Sequence, residues 1–339
     1  MHTSIIVPVY NEPEHLRECL SALLAESRSE SDVIVVDDAS TDQTPAVASQ
    51  LGVRLFRLGK NSGPAAARNY GARHSEGDIL LFVDADVVVA PGVVNRVIAV
   101  LHSNPDVAAV FGSYDSRPRA QGVVSQYRNL LHHFVHQHGR MEASTFWAGC
   151  GAIRRPVFEA VGGFDEIHAG TRFGRSMEDI ELGYRLRRAG HRIVLDRSLQ
   201  VTHLKQWTLS SFIRTDIISR AIPWSRLILE RRQFPDDLNL GRGQRWSVAL
   251  VALACVLVPL SAFHRGLLVL SGAALLGALG LNRKLFRFFW RERGLRFAAA
   301  CVPLHFLHYL CSGLGFLHAW TSYLLNHRDR VRATAPSVP

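Results

Sequence analysis

Residues Ile79 to Val89 read Ile-Leu-Leu-Phe-Val-Asp-Ala-Asp-Val-Val-Val, a run that leaves the chain little choice of fold. Five consecutive apolar residues, Ile79 to Val83, are the pattern of a strand buried on both faces. Asp84 and Asp86 stand where that strand should end, an apolar run continues to Val89, and Pro91-Gly92 stops it. Carboxylates beside a buried strand are costly unless something pairs them. In an extended strand residues i and i+2 share one side, so the two acids are expected to face one point. A divalent cation is the simplest partner, because Mg²⁺ or Mn²⁺ accepts one or two carboxylates and completes its shell with water and phosphate oxygens. Capping of the next segment is the competing role, and Asp-x-Asp alone does not decide between them.

The flanking sequence repeats the logic. Ser4 to Val9 predicts a strand ending at Pro8-Val9-Tyr10-Asn11-Glu12, followed by a helix with an apolar stripe at Leu16, Leu20, Leu23 and Leu24. Asp32 to Asp38 predicts a second strand, ending on Asp37 and Asp38, and Thr44-Pro45 opens a helix. Val53 to Leu58 is a third strand, and after the turn at Lys60 to Pro64 comes a helix carrying Arg68 and Asn69. Strands alternating with helices predict an α/β fold, a mostly parallel sheet flanked by helices. Ligands in such sheets bind at the carboxyl ends of the strands. Tyr10, Glu12, Asp37, Asp38, Asp84 and Asp86 all fall there, where packing alone would not ask for polar residues. Neither a G-x-G-x-x-G fingerprint nor a P-loop is present, which disfavours the usual dinucleotide and nucleoside-triphosphate folds.

Val-Pro-Val-Tyr-Asn-Glu, Val-Asp-Asp-Ala-Ser-Thr-Asp, Gly-Pro-Ala-Ala-Ala-Arg-Asn, Asp-Ala-Asp and Glu-Asp-Ile-Glu-Leu-Gly-Tyr-Arg occur in that order. With these motifs the chain resembles the family 2, inverting, GT-A-type glycosyltransferases over roughly residues 3–210. The resemblance implies a nucleoside diphosphate sugar held by the first half of the chain. Pro8, Tyr10, Glu12 and Asp38 match positions that hold base and ribose, and Asp37 joins the donor-binding set beside Asp38. Arg68 matches a residue near the nucleotide, and Asp84 and Asp86 match the metal-binding acids. Asp179 matches the catalytic base, with Glu178 as its orienting neighbour. Trp147 and Gly149 lie in a region that borders acceptor and donor sugar, while His203 and Lys205 resemble a position near the donor diphosphate. Other processive members carry Gln-x-x-Arg-Trp here; this chain has His203-Leu-Lys-Gln-Trp207, which speaks against processive synthesis.

Local readings compete with some of these roles. Ser176 followed by Asp179 is a capping-box spacing, so one acid could be structural. A helix N-terminus should also favour an ionised Asp179. The stretch between Glu166 and Ser176, containing Gly and Arg, is expected to be flexible enough to close over substrate. Asn104 to Tyr114 and Val194 to Thr202 read as further strands, and Gly122 to His138 as an amphipathic helix. That helix carries His132, His133, His136 and His138. His132 and His136 have a chelating spacing, but a polar helix face is the better reading.

From Trp246 onward the apolar residues gather into long runs. Trp246 to Phe263 is long enough to span a bilayer, Gly266 to Leu281 is marginally short, and Phe297 to Leu325 is a third run with a kink expected at Pro303. Arg283 to Arg296 is strongly basic with Phe-Arg-Phe-Phe-Trp inside it, and Leu209 to Arg232 mixes large apolar residues with arginines; both suit a membrane surface, and the second equally suits an amphipathic helix packed on the sheet. The formal net charge of +10 fits anionic lipid or phosphorylated substrates, and no nucleic-acid-binding signature accompanies it. The five cysteines form no disulfide framework, and the chain opens on a strand pattern with no leader-like stretch.

Together these readings predict a donor-binding half at 1–115, an acceptor-binding half at 116–240 with interfacial helices near 209–232, a membrane region of two to three helices at 246–325, and a basic tail at 326–339. The expected activity is transfer of a sugar to a hydroxyl acceptor, lipid-linked or another glycan. It would need Mg²⁺ or Mn²⁺ and run at the cytoplasmic face of the inner membrane in a multi-pass protein. A polyprenyl-phosphate glycosyl synthase, whose acceptor needs no base, and a non-catalytic nucleotide-binding scaffold are the alternatives.

Overall fold

The structure is a computed structural model and describes residues 1–26, 31–166, 177–231, 238 and 241–334, those from 326 onward as backbone only. The stretch expected to close over substrate, Ser176 and the basic side chains of the tail therefore lie outside the described residues. The chain divides into two compact units, Met1–Trp207 and Thr208–Pro339.

The first unit is built on eight strands: β1 (Thr3–Val9), β2 (Ser31–Asp37), β3 (Arg54–Arg57), β4 (Ile79–Val83), β5 (Val87–Val89), β6 (Val107–Tyr114), β7 (Cys150–Arg154) and β8 (Arg192–His203). They form one sheet in the order β3-β2-β1-β4-β7-β6-β8-β5. The β3-β2-β1-β4 half is wholly parallel, as alternation with helices requires. The other half is mixed: β7 runs antiparallel to β4 and β6, β6 and β8 are parallel, and β5 is antiparallel to β8. Pro8 sits in the central strand β1 without breaking a ladder on the β4 side, because that pairing ends at Ile6. The helix Pro13–Glu26 buries Leu16, Cys19, Leu20 and Leu23 against this sheet; Leu24, expected in the stripe, is exposed, and Cys19 takes its place.

One connection shapes the sheet. Only Asp84, Ala85 and Asp86 join β4 to β5, yet β7, β6 and β8 lie between these strands in the sheet. Four Cα steps reach at most about 15 Å, whereas four strand spacings across a flat sheet come to about 19 Å. The sheet must curl, and its β5 edge returns toward the end of β4.

The second unit is helical. Leu209–Arg214 and Ile222–Arg231 are joined by a π-helical turn at Thr215–Ala221, followed by helices Arg242–Leu260, Gly266–Leu281 and Arg283–Thr334. Leu209–Arg231 packs on the last helix: a Cβ at Gly315 would lie 2.3 Å from Ala221 Cβ, and His308 Nδ1 lies 2.6 Å from Asp216 Oδ2. The last helix is two helices in series. Its non-helical residue is Gly294 (φ 83°, ψ 170°), so the break falls at a residue without a Cβ, while Pro303 stands inside helical backbone. Arg242–Leu260 and Arg283–Leu325 contain stretches long and apolar enough to cross a membrane; Gly266–Leu281, with 16 residues, is shorter. The few polar groups between these helices find each other. The Tyr309 hydroxyl lies 2.6 Å from Gln244 Oε1 and 2.8 Å from Asn282 Oδ1, and Asn282 Nδ2 donates to Ser247 Oγ at 2.9 Å.

Candidate active site

The loops after β1 and β2 are tied together at the carboxyl edge of the sheet. Asn11, in the left-handed region at φ 52°, donates its backbone N–H to Ser40 Oγ at 2.9 Å, and its side-chain oxygen accepts from Thr41 N at 2.8 Å. Glu12 N donates to Thr44 Oγ1, and Glu12 Oε2 lies 2.5 Å from His15 Nδ1. Asp37 is fully buried and accepts from Arg57 Nε at 2.8 Å and from Ser40 N at 3.2 Å. Asp38 accepts Ser62 N on one oxygen and Gly63 N on the other, both at 2.7 Å. These two acids thus order the strand ends and the turn that launches the Pro64–Arg73 helix, and Gly63 supplies the φ of 92° which that turn requires. Tyr10 is left half exposed beside them.

Arg68 is the hub. From the Pro64–Arg73 helix its buried guanidinium donates to Asp84 Oδ1 at 2.6 Å and to Glu178 Oε1 at 2.7 Å. Burial works against its charge, but Asp84 and Glu178 outweigh burial and hold it protonated. Glu178 and Asp179 open the Glu178–Arg188 helix, whose cap residue is Met177. Among the described residues no side chain makes the cap hydrogen bond, and Ser176, the other half of the expected capping box, lies outside them. Asp179 Oδ1 accepts from Ile180 N at 2.8 Å and Oδ2 lies 3.4 Å from Ala148 N, in the Trp147–Gly149 segment. Burial first, and then the neighbouring Glu178 charge, push Asp179 up to about 7. The expected helix-terminus effect is thus the smaller one: desolvation and like charge win. Glu178 is also raised, chiefly by burial. Its Oε2 and Arg68 Nε are buried with no hydrogen-bond partner among the described residues, unspent polar capacity at the centre of the site.

Asp84 and Asp86 do not lie on one extended strand. Val87 N donates to Asp84 O at 3.3 Å, closing a turn over the three linking residues, so the i, i+2 argument for a shared face does not hold. The acids take different partners instead: Asp84 pairs with Arg68, while Asp86 Oδ2 lies 3.4 Å from His203 Nε2 across the curl. Leu204 N donates to Asp86 O at 2.9 Å and locks β8 to this turn. Burial raises the Asp86 carboxyl, but the His203 contact and the charges of His203, Lys205 and His15 outweigh it and hold it below the ordinary range. No cluster of three metal-ligating side chains forms among the described residues. Asp86 is an oxygen donor of the kind Mn²⁺ or Mg²⁺ takes, and His203 Nε2 lies 3.4 Å from it, near the separation of two cis ligands on one ion, about 3 Å. Lys205 lies with its Nζ 4.9 Å from the Trp207 ring centre.

Trp147 lies over Gly149, where a Cβ would come within 2.4 Å of the indole. Gly149 O accepts from Asp84 N at 3.2 Å, so this segment reaches both the Asp84 turn and Asp179. The structure thus brings Arg68, Asp84, Asp86, Trp147, Gly149, Glu178, Asp179 and His203 together, while Asp37 and Asp38 serve the loops. Sequence reasoning passed over Ala148 and Tyr114 as site residues, and set His132 aside on a polar helix face. Tyr114 ends β6 as Tyr10 follows β1, a signal that was present but carried no charge to mark it. Two histidines of the helix serve the backbone of β6: His133 and His136 point Nδ1 at Tyr114 O (2.7 Å) and Gly112 O (3.0 Å).

The model of glycosyl transferase family 2 matches residues 4–162. An uncharacterised glycosyltransferase of Haemophilus influenzae is 37% identical over 109 residues, 32% of this chain and 37% of the relative. The O-antigen biosynthesis protein RfbC of Myxococcus xanthus is 30% identical over 243 residues, 65% of this chain and 18% of the relative. The chain thus spans well under half the length of either relative. Among solved structures, the mannosyltransferase PcManGT from Pyrobaculum calidifontis, in complex with GDP-Man and Mn²⁺, is similar with a TM-score of 0.61. That similarity holds at 19% identity over 93% of this chain and 87% of the other, a likeness of fold.

Proposed function

We propose that this chain is a member of glycosyl transferase family 2, whose model matches residues 4–162, and that it transfers a sugar from a nucleoside diphosphate sugar to a hydroxyl with inversion at the anomeric carbon. Asp179 carries the reading. It is a carboxyl raised to about 7, held by Ala148 N and Ile180 N beside the Trp147–Gly149 segment, and therefore poised to gain and lose a proton near neutrality. Asp179 takes the proton from the acceptor hydroxyl as its oxygen bonds the anomeric carbon. The carbon–oxygen bond to the diphosphate breaks on the opposite face, and the diphosphate leaves with the electron pair. Glu178, fixed by Arg68, sets the charge beside Asp179, and Arg68 ties that acid to the Asp84 turn. Trp147 and Gly149 border the acceptor, and Pro8, Tyr10, Glu12 and Asp38 form the nucleotide end, with His203 and Lys205 toward the diphosphate. The mannosyltransferase of like fold was solved with GDP-Man and Mn²⁺, which supports a donor and a metal of these classes. Asp86 and His203, with Asp84 adjacent, would hold the divalent cation. Bound there, it supplies charge neutralisation on the leaving diphosphate. A phosphate acceptor would need no base, so Asp179 favours a hydroxyl.

The helices Arg242–Leu260 and Arg283–Leu325 support a membrane-anchored enzyme. In this reading the catalytic unit is cytoplasmic, the protein crosses the inner membrane more than once, and the acceptor is lipid-linked or a growing glycan. Transfer from a panel of nucleotide sugars with the full-length chain in membranes tests the activity. Asp179→Asn should lower turnover by about 10²–10⁴-fold with donor affinity nearly unchanged. A near-normal rate would remove Asp179 from the chemistry and restore the phosphate-acceptor alternative.

A further inference from the structure

The histidine-bearing helix Val123–His138 has no part in the chemistry above, yet it is latched onto the end of β6. His133 Nδ1 faces Tyr114 O at 2.7 Å, His136 Nδ1 faces Gly112 O at 3.0 Å, and Asn129 Nδ2 donates to Asp115 O at 2.8 Å. On the other side, Asp115 N donates to Val201 O at 2.9 Å and Thr202 Oγ1 donates to Asp115 Oδ2 at 2.5 Å. These bonds fix the backbone of Tyr114 between the helix and β8. Its ring is fixed as well. It lies against His132 with centroids 4.3 Å apart and meets Trp147 edge-on at 5.0 Å. The face of Tyr114 then stacks on the His203 imidazole, centroids 4.3 Å apart and planes 13° from parallel. His203 in turn places Nε2 3.4 Å from Asp86.

We propose that Tyr114 is a positioning residue: its ring fixes the His203 imidazole so that His203 and Asp86 are held ready for one divalent cation. This rests on the reading of that pair as the metal-holding groups. Histidine ligands are usually oriented by a hydrogen bond to the second ring nitrogen. Here a flat aromatic face does the orienting, and Nε2 stays turned toward Asp86. The stack also gives His132, His133 and His136 a role, since they brace β6 and Tyr114.

The test is Mn²⁺ binding to the full-length chain in detergent, followed by the electron paramagnetic resonance signal of free Mn²⁺, with no sugar transfer involved. Wild type should bind, and Asp86→Asn should lose the site. Tyr114→Phe, which keeps the ring, should bind within about twofold of wild type, whereas Tyr114→Leu should bind about 10–100-fold more weakly, the usual cost of losing a ligand's orienting partner. A melting temperature checks that each variant is folded. If Tyr114→Leu does not fold, His132→Leu decides: it leaves Tyr114 in place, removes the ring packed on it, and should weaken Mn²⁺ several-fold. Wild-type affinity in a folded Tyr114→Leu, or in His132→Leu where that variant is the one decided on, overturns the role of Tyr114. Absence of any Asp86-dependent Mn²⁺ binding in wild type overturns the metal reading itself, and the role of Tyr114 with it.

Discussion

Glu178 and Asp179 are adjacent in sequence but differ in environment. Glu178 hands one oxygen to a guanidinium, whereas among the described residues Asp179 accepts from backbone N–H groups beside a neighbour of its own sign, with the Arg68 charge a smaller influence. The consequence for pH has a definite sign. An acid whose folded value is raised from the ordinary carboxylate range to about 7 binds its proton more tightly in the folded state. Its contribution to stability is therefore fully present below the unfolded value near 4 and is lost as pH rises through about 7. Asp179→Asn, which cannot ionise, should melt higher than wild type at pH 8, with the gap closing toward pH 4. A gap that is flat with pH would mean that Asp179 is not raised. The transfer rate should move the other way in wild type, climbing through pH 7 as the base ionises. The same carboxylate would then aid the reaction and weaken the fold, a common property of active-site acids.

At the scale of elements, the strands were legible because apolar runs and the acids that end them stand out; β1, β2 and β4 end on the residues expected of them. Their neighbours across the sheet were not legible. Nothing in Asp-Ala-Asp announces that the chain turns there and joins β8, so a shared face for Asp84 and Asp86 presumed an extended backbone that the chain does not keep. The Arg68–Glu178 bond joins residues 110 apart, and the Tyr114–His203 stack joins two strands far apart in sequence; both depend on sheet order, which periodicity does not carry. The Leu209–Arg231 segment teaches the same lesson. Its arginines and large apolar residues read as a membrane-surface helix, but its inner face is shaped to the last helix through Ala221 and Gly315. A larger side chain there must force the helices apart. Gly315→Val should lower the melting temperature in detergent, at a cost of about 1–3 kcal/mol for overpacking a close contact. An unchanged melting temperature would show that the two helices separate there without penalty.

For the whole molecule, the exposed apolar residues are concentrated in the second unit. Phe263 is 89% exposed, and Val256, Val269 and Leu276 are each more than half exposed. A surface of that kind is unfavourable in water and ordinary in lipid. The full-length chain should therefore stay with membranes through high-salt and carbonate washing; release into the supernatant would reduce the second unit to a surface-bound assembly. Gly294 separates the basic Arg283–Arg293 helix from the apolar helix that follows, so the two can take different directions at a bilayer surface.

The three residues between β4 and β5 act as a ruler. Chemistry constrains what stands at positions 84 and 86, but the curl of the sheet constrains how many residues stand there at all. Most loops at the rim of such a sheet can lengthen over evolutionary time with little penalty, because loop closure grows costly only slowly with length. Here added residues would slacken the link, and the curl would rest on the pairing of β5 with β8, which brings Asp86 to His203. Diversification of specificity on this scaffold should accordingly be written in the other rim segments, while the length of this link stays as it is.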